Sequence, residues 1–154
     1  MIDLLALVQQ CAPTVAPRTL QAIIRTESGF DPLALHVNGN VRLRRSPKTA
    51  AEAISWSGWL IGHGYSVDMG LMQINSRNLA RFDLTAADAF DPCRNIRAGA
   101  AILSENYAWA VRSHGAGGQA LLHAISAYNT GTLHGGWRNG YVARVVRNAS
   151  EIAP

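Results

Sequence analysis

The longest periodic stretch in the chain sets the terms for everything around it. From about Cys93 to Ser113, the residues Ile96, Ala100, Leu103, Tyr107 and Ala110 recur at helical spacing. They form the inner stripe of one long helix. Asp91-Pro92 stands just ahead of it and caps its start. The neighbouring segments read as further helices. Ile2 to Val8 is a short apolar first helix, and Pro17 to Phe30 is an amphipathic one. Ser46-Pro47, as N-cap and first helical residue, opens a helix to about Ile61 that stops at Gly62 and Gly64. Asn75 to about Phe82 and Thr85 to about Phe90 read as short helical pieces. Gln119 to about Tyr128 reads as a helix with Leu121, Leu122, Ile125 and Tyr128 inward, and Asn139 to about Ser150 as the last helix. Thr130 to Gly136 is a glycine-rich loop. The one β signal is the alternation from Leu35 to Leu43 about Asn38-Gly39, which predicts a hairpin. The expected architecture is therefore mainly α, a single domain over 1–154 with a small β-hairpin insertion around residues 35–43.

Composition narrows the class. The 154 residues are 48% hydrophobic and 16% charged, which suits a folded domain with a core. No apolar run approaches the roughly 18 residues that span a bilayer. Asp3 stands where a signal peptide would carry Lys or Arg, so Ile2 to Val8 is read as part of the domain. The net charge of +4 favours an anionic partner without naming one. The cluster Arg42, Arg44, Arg45 and Lys48 is read as a solvated turn, not a nucleic-acid patch. Cys11 and Cys93 lack the short spacing of a zinc or redox site. They are read as a possible disulfide, in which case the compartment is oxidising. The alternative is two independent buried thiols.

Glu27 is the residue that points to chemistry. Leu20, Ile23, Ile24 and Glu27 share one helical face, so a carboxylate ends a core-facing stripe. Such a group is costly unless hydrogen-bonded, paired or protonated. Desolvation keeps the proton on, the state a general acid needs. The competing reading is a frayed end that rolls to solvent, because Gly29 follows closely. Other chemistries are excluded by pattern. The histidines do not pair at metal-binding spacing, no nucleophile elbow occurs, and the glycines at 115–118 lack a phosphate loop's Lys-Ser/Thr. No metal and no cofactor are expected. Among the ten carboxylates, only Glu105 besides Glu27 lies within a helix near inward residues, and Asp68 stands in the segment Ser66 to Gly70. An ordinary glycosidase needs a carboxyl pair, and no second partner is obvious here. A substrate group would have to take that place.

Three more segments mix polar groups into apolar runs: Gly70-Leu71-Met72-Gln73-Ile74-Asn75, Ala127-Tyr128-Asn129-Thr130-Gly131 and Gly140-Tyr141-Val142. Singly, each reads as a helix end or half-buried core. Together with Glu27-Ser28, with Asn95 to Gly99 and with Tyr141, in this order, they resemble the signature of the lysozyme-like lytic transglycosylases that cleave peptidoglycan. The resemblance covers nearly the whole chain. The stretch Asp31 to Gly39 and the stretch Val67 to Ser76 resemble a narrower branch, the small transglycosylases of type IV secretion and conjugation systems. Two departures stand out: His36 occupies a position where many members have Ser, and Ile102-Leu103 replaces a usual Tyr-Leu.

The resemblance implies a goose-type-lysozyme-like fold and one activity. Protonated Glu27 would give its proton to the glycosidic oxygen between N-acetylmuramic acid and N-acetylglucosamine. The N-acetyl group of the muramic sugar would assist, and Glu27 would then deprotonate the C6 hydroxyl as it closes a 1,6-anhydro ring. Tyr128 and Asn129 would orient the N-acetyl group. Met72 and Gln73 would line the cleft, the thioether packing on a ring and the amide bonding sugar hydroxyls. Ser28 would bond backbone or substrate, and Tyr141 would hold the Glu27 rotamer. The implied setting is the periplasm, with glycan strands and secretion-system components as partners, no nucleic acid and a monomeric state. The rival readings are a hydrolytic lysozyme on the same scaffold, a non-catalytic wall-binding adaptor, and a nucleic-acid-binding helical domain using Arg42, Arg44 and Arg45.

Overall fold

A computed structural model describes residues 2–154. Helices α1 (Leu4–Cys11) and α2 (Pro17–Ser28) precede strand β1 (Leu35–Val37). Helix α3 (Ala50–Gly62), strands β2 (Val67–Met69) and β3 (Ile74–Asn75), and two single 3-10 turns at 76–78 and 80–82 follow. The chain then runs through α4 (Ala86–Ala89), α5 (Pro92–His114), α6 (Gly118–Thr130), α7 (Gly135–Arg138) and α8 (Tyr141–Ser150). The fold is mainly helical with one small antiparallel sheet, as expected. The residues group into two compact units, one of Met1–Thr26 with Ala100–Pro154, the other Glu27–Gly99.

Helix starts follow local chemistry. α5 begins at Pro92, and Asp91 Oδ1 accepts from Arg94 N at 2.8 Å, the cap read from the sequence. Its stripe residues Ile96, Ala100, Leu103 and Ala110 are buried, and Tyr107 is half-buried. α4 starts with a reciprocal capping box between Thr85 and Asp88. α3 starts later than Ser46-Pro47. Thr49 caps it by accepting from Glu52 N at 3.1 Å. Glu52 itself takes the Lys48 amide at 2.8 Å and a two-point ion pair from Arg45, which fixes residues 45–48 as a turn outside the helix. The segment after Gly131, read as loop, contains the single-turn α7, and the final helix begins at Tyr141 behind a left-handed Gly140.

The strand at 35–37 forms, but its partner differs from the predicted hairpin. β1 pairs antiparallel with β2, Leu35 opposite Met69 and Val37 opposite Val67, and β2 pairs with β3. Residues 41–43 are not a strand. A two-residue Asn-Gly hairpin turn needs positive φ at both residues. Gly39 has it, at 99°, and Asn38 does not. Asn38 instead bonds forward: its amide N–H reaches Ser66 O at 2.9 Å and its side chain reaches Asp68 Oδ2 at 3.0 Å.

In the unit of 1–26 and 100–154, α2 and α8 are tied by polar contacts. Asn148 Nδ2 donates to Thr26 Oγ1 at 2.8 Å, Arg18 Nε to Ala149 O at 2.7 Å, and Arg25 pairs with Glu151 at 2.7 Å. Ala110, Ala120, Ala127 and Leu133 form a core cluster with Tyr107 and Val111 against it. The deeply buried face of α6 is made of small residues, Ala120, Ala124, Ser126 and Ala127 with His123 and Ile125, while Leu121 and Leu122 are half-buried. Close backbone approach requires this. A Cβ on Gly136 of α7 would lie 2.7 Å from Ser126 Cα, and Ser126 Oγ accepts from Gly136 N at 2.8 Å.

Candidate active site

Glu27 lies in the last turn of α2 and is half-buried, at the end of a stripe in which Leu20, Ile23 and Ile24 are fully buried. Two consecutive left-handed residues end the helix, Gly29 at φ 61° and Phe30 at φ 70°. A phenylalanine in that region is a strained outlier. Its ring is 45% exposed, so burial of the side chain does not explain the turn. The next bonds lock it: Asp31 N donates to Ser28 O at 3.2 Å, and Asp31 Oδ1 accepts from Leu33 N at 2.9 Å. The Glu27 and Ser28 side chains thus sit at a sharply closed helix end, Ser28 also half-buried.

The segment 70–73 is the connection between β2 and β3, within the same unit. Gly70 has φ 74° and could not be another residue, because a Cβ there would lie 2.6 Å from Ala89 O and closer still to Asn95 Nδ2. Gln73 is left-handed at φ 51°. Its side-chain Nε2 donates to Ala34 O at 3.2 Å and Gly70 O at 3.0 Å. Both amide hydrogens are spent on backbone.

Met72 corrects an expectation. It is fully buried, with no surface to lay on a sugar ring. Its thioether fills the space over Gly99, where a Cβ would come within 2.7 Å of Met72 Cε. Asn95 completes the lock. It is 1% exposed, its Oδ1 accepts from Met72 N at 2.8 Å, and its Nδ2 donates to Met69 O and Ala89 O at 2.8 and 2.7 Å. The Asn95 to Gly99 block is therefore a socket for the 70–73 turn. A glycine inside a long helix is unfavourable without a packing reason, and that was the available signal for this role.

The remaining carboxylates are accounted for by structure or exposure. Asp3, Asp31, Asp88 and Asp91 accept from backbone amides at helix starts or turns. Glu52 is held by Arg45, whose hydrogen bonds, with that of Lys48 N, bring its pKa down to about 2. Glu151 pairs with Arg25. Asp68 accepts from Asn38 at 3.0 Å and Asn75 at 2.7 Å, one at each oxygen, and so braces the sheet. Asp83 and Glu105 are exposed. Glu27 is the half-buried carboxyl at a helix C-terminus, where it meets the negative end of the helix dipole.

Tyr128, Asn129 and Tyr141 belong to the other unit, near the α6 C-terminus and the α8 start. Tyr128 is half-buried, Asn129 exposed and Tyr141 buried. Asn139, which the sequence did not single out, holds two of them. Its Nδ2 donates to Asn129 Oδ1 at 2.7 Å and its Oδ1 accepts from Tyr141 N at 3.0 Å. The Asn129 amide is thereby oriented with its carbonyl engaged and its NH2 available for donation. His36, the departure noted above, is exposed in β1 opposite Asp68. Among the described residues, no group of three or more His, Cys, Asp or Glu is arranged to hold a metal ion.

A family model described as the transglycosylase SLT domain matches residues 5–145. The chain is similar to the type IV secretion system protein virB1 of Brucella abortus biovar 1 (strain 9-941). The two are 42% identical over 155 residues, 97% of this chain and 65% of that protein. It is also similar to protein virB1 of Agrobacterium fabrum (strain C58 / ATCC 33970), 38% identical over 162 residues, 95% of this chain and 59% of that one. The chain thus spans less than two thirds of the length of these relatives. No solved structure matches it.

Proposed function

The chain belongs to the transglycosylase SLT domain family, and from that membership we propose that it is a peptidoglycan lytic transglycosylase with Glu27 as its acid and base. The observation that carries this is the half-buried Glu27 at the closed end of α2, in a chain whose other carboxyls are structural or exposed. Partial burial at the closed helix end gives the carboxyl the sheltered setting that a general acid uses.

In the proposed reaction Glu27 protonates the glycosidic oxygen as the bond from C1 of N-acetylmuramic acid to that oxygen breaks. The N-acetyl oxygen of the same sugar supports the developing charge at C1. The Glu27 carboxylate then takes the C6 hydroxyl proton, O6 bonds to C1, and the 1,6-anhydro ring closes. The proton inventory of Glu27 is restored and no water is consumed. Asn129, through its NH2, and Tyr128 steer the N-acetyl group. Gln73 Oε1 accepts from a sugar hydroxyl, Ser28 bonds backbone or substrate, and Tyr141 supports the site.

The setting proposed is a type IV secretion apparatus, on the strength of the relatives' printed names. Cys11 and Cys93, neither of them a free thiol, are proposed to form a disulfide, which supports an oxidising, extracytoplasmic compartment. Among the described residues, no helix is long and apolar enough to cross a membrane. We take residues 1–154 to act as one catalytic domain, and as a monomer.

Digestion of purified sacculi tests the assignment. The wild-type chain releases anhydro-muropeptides by mass spectrometry, and Glu27→Gln releases none while keeping its circular dichroism spectrum. Products heavier by one water would identify a hydrolase. Undiminished release by Glu27→Gln would sink the role of Glu27.

A further inference from the structure

Helix α3 carries its aromatic residues the wrong way round for a core helix. Ala53, Ser57 and Leu60 are buried, while Trp59 is 59% exposed. The small residues beside it leave much of the ring exposed. Ser55 stands four residues before it and Gly62 three after, and a Cβ on Gly58 or Gly62 would meet nothing within 4 Å. The ring is nonetheless ordered. His63 stacks on it at 3.9 Å between centroids and 21° between planes, and His63 Nδ1 donates to Trp59 O at 2.7 Å. Tyr65 stacks at 6.5 Å and 18°. A large flat apolar face is thus held rigid in solvent, and a ligand meeting it loses little side-chain entropy.

Beside it runs a groove of about 370 Å³ lined by Val41, Leu43, Ser55, Trp56, Trp59 and Leu60. Arg45 covers the Trp56 ring at 4.7 Å, so Trp56 forms the wall and Trp59 the open platform. Val41 and Leu43 also border a second, more polar groove of about 380 Å³ with His36, Arg42 and Arg45. The segment from Val41 to Glu52 carries four cations, Arg42, Arg44, Arg45 and Lys48, against one carboxylate, Glu52. Arg42 and Arg44 are exposed.

We infer that Trp59 and the adjoining groove are an accessory binding platform for an uncleaved stretch of glycan strand, with Arg42 and Arg44 meeting the carboxylates of its peptide stems. The inference rests on the proposed activity for the identity of the polymer. The chemistry of the patch fits that polymer. Pyranose rings present flat C–H faces that pack on an exposed indole, and the peptide stems supply the negative charge that the local cation excess attracts. A neutral oligosaccharide lacks the second feature and a lipid surface lacks the first. Bound there, the strand raises the effective concentration of neighbouring linkages for the catalytic carboxyl.

Sacculus co-sedimentation in the Glu27→Gln background, where nothing is cut, tests this directly. Trp59→Ala lowers bound protein about fivefold, the loss expected of one aromatic contact, and Trp59→Phe recovers most of it. The pair Arg42→Glu with Arg44→Glu weakens binding at low salt and converges on the parent at high salt. With Glu27 intact, Trp59→Ala cleaves short soluble glycan fragments within about twofold of wild type, since an exposed substitution leaves the fold alone. Equal sacculus binding by Trp59→Ala and parent overturns the inference. So does Trp59-dependent binding to phosphatidylglycerol vesicles with sacculus binding unchanged, which would make the patch a membrane contact. Trp59-dependent sacculus binding with no anhydro-muropeptides from the wild type leaves the platform standing and removes the lytic reading instead.

Discussion

Asn95 shows how much one side chain can decide. Its amide makes three hydrogen bonds from a site 1% exposed, to Met72 N, Met69 O and Ala89 O. No water replaces them at that depth, so each orphaned group costs its desolvation. Asn95→Ala is expected to lower unfolding free energy by about 3 kcal/mol or more, measured by urea titration. Because the same bonds hold the 70–73 turn, the variant also loses activity beyond its stability loss, at temperatures where it remains folded. At this scale the sequence showed which residues were out of place but not what they did. The half-burial of Glu27 was legible because helical periodicity puts it at the end of the buried stripe. Met72 was misread as a cleft residue because its burial depends on Gly99, which lies in another element.

Among elements, the α5–α6–α7 region contains a histidine cluster with a consequence for pH. His114 stacks on His123 at 3.7 Å, and His134 meets His123 edge-on at 5.1 Å. His123 is buried and bonds Leu133 O through Nδ1 at 2.7 Å. Desolvation first, then the imidazoles of His123 and His134, hold the His114 pKa below the ordinary histidine value. The folded state therefore binds fewer protons than the unfolded chain as pH falls below about 6.5. The contribution is complete above that pH and is lost as pH drops through the folded value. The melting temperature is expected to fall between pH 7.5 and 5.5, and His114→Gln to flatten that fall; an unchanged slope in the variant would refute the link. Helix boundaries were largely readable here, since a cap such as Asp91-Pro92 acts on residues a few positions away. The strand pairing was not. Asn38-Gly39 looked like a hairpin turn, but whether a strand folds back or pairs with residues thirty positions on depends on which partner buries Val37.

Over the whole molecule, the two cysteines carry the remaining prediction. The bridge proposed for Cys11 and Cys93 closes a loop of about 80 residues, and chain-entropy arithmetic gives it about 4–5 kcal/mol. Reduction with a thiol, or Cys11→Ser with Cys93→Ser, is expected to lower the denaturation midpoint correspondingly. Free-thiol titration before and after unfolding checks the starting state, and a midpoint indifferent to reductant would argue against the bridge. The sequence by itself determined the helical class, the long α5, the end of α2 just past Glu27 and the family. These rest on hydrogen bonds and periodicities spanning four residues or fewer, or on short ordered motifs. Tertiary structure alone decided that Asp68 braces the sheet, that Asn95 and Gly99 form a socket for Met72, that β1 pairs with β2, and that Trp59 faces solvent. Each of these depends on which distant groups come to lie alongside, and burial, unlike helix propensity, is set by that neighbourhood and not by the residue's own place in the chain.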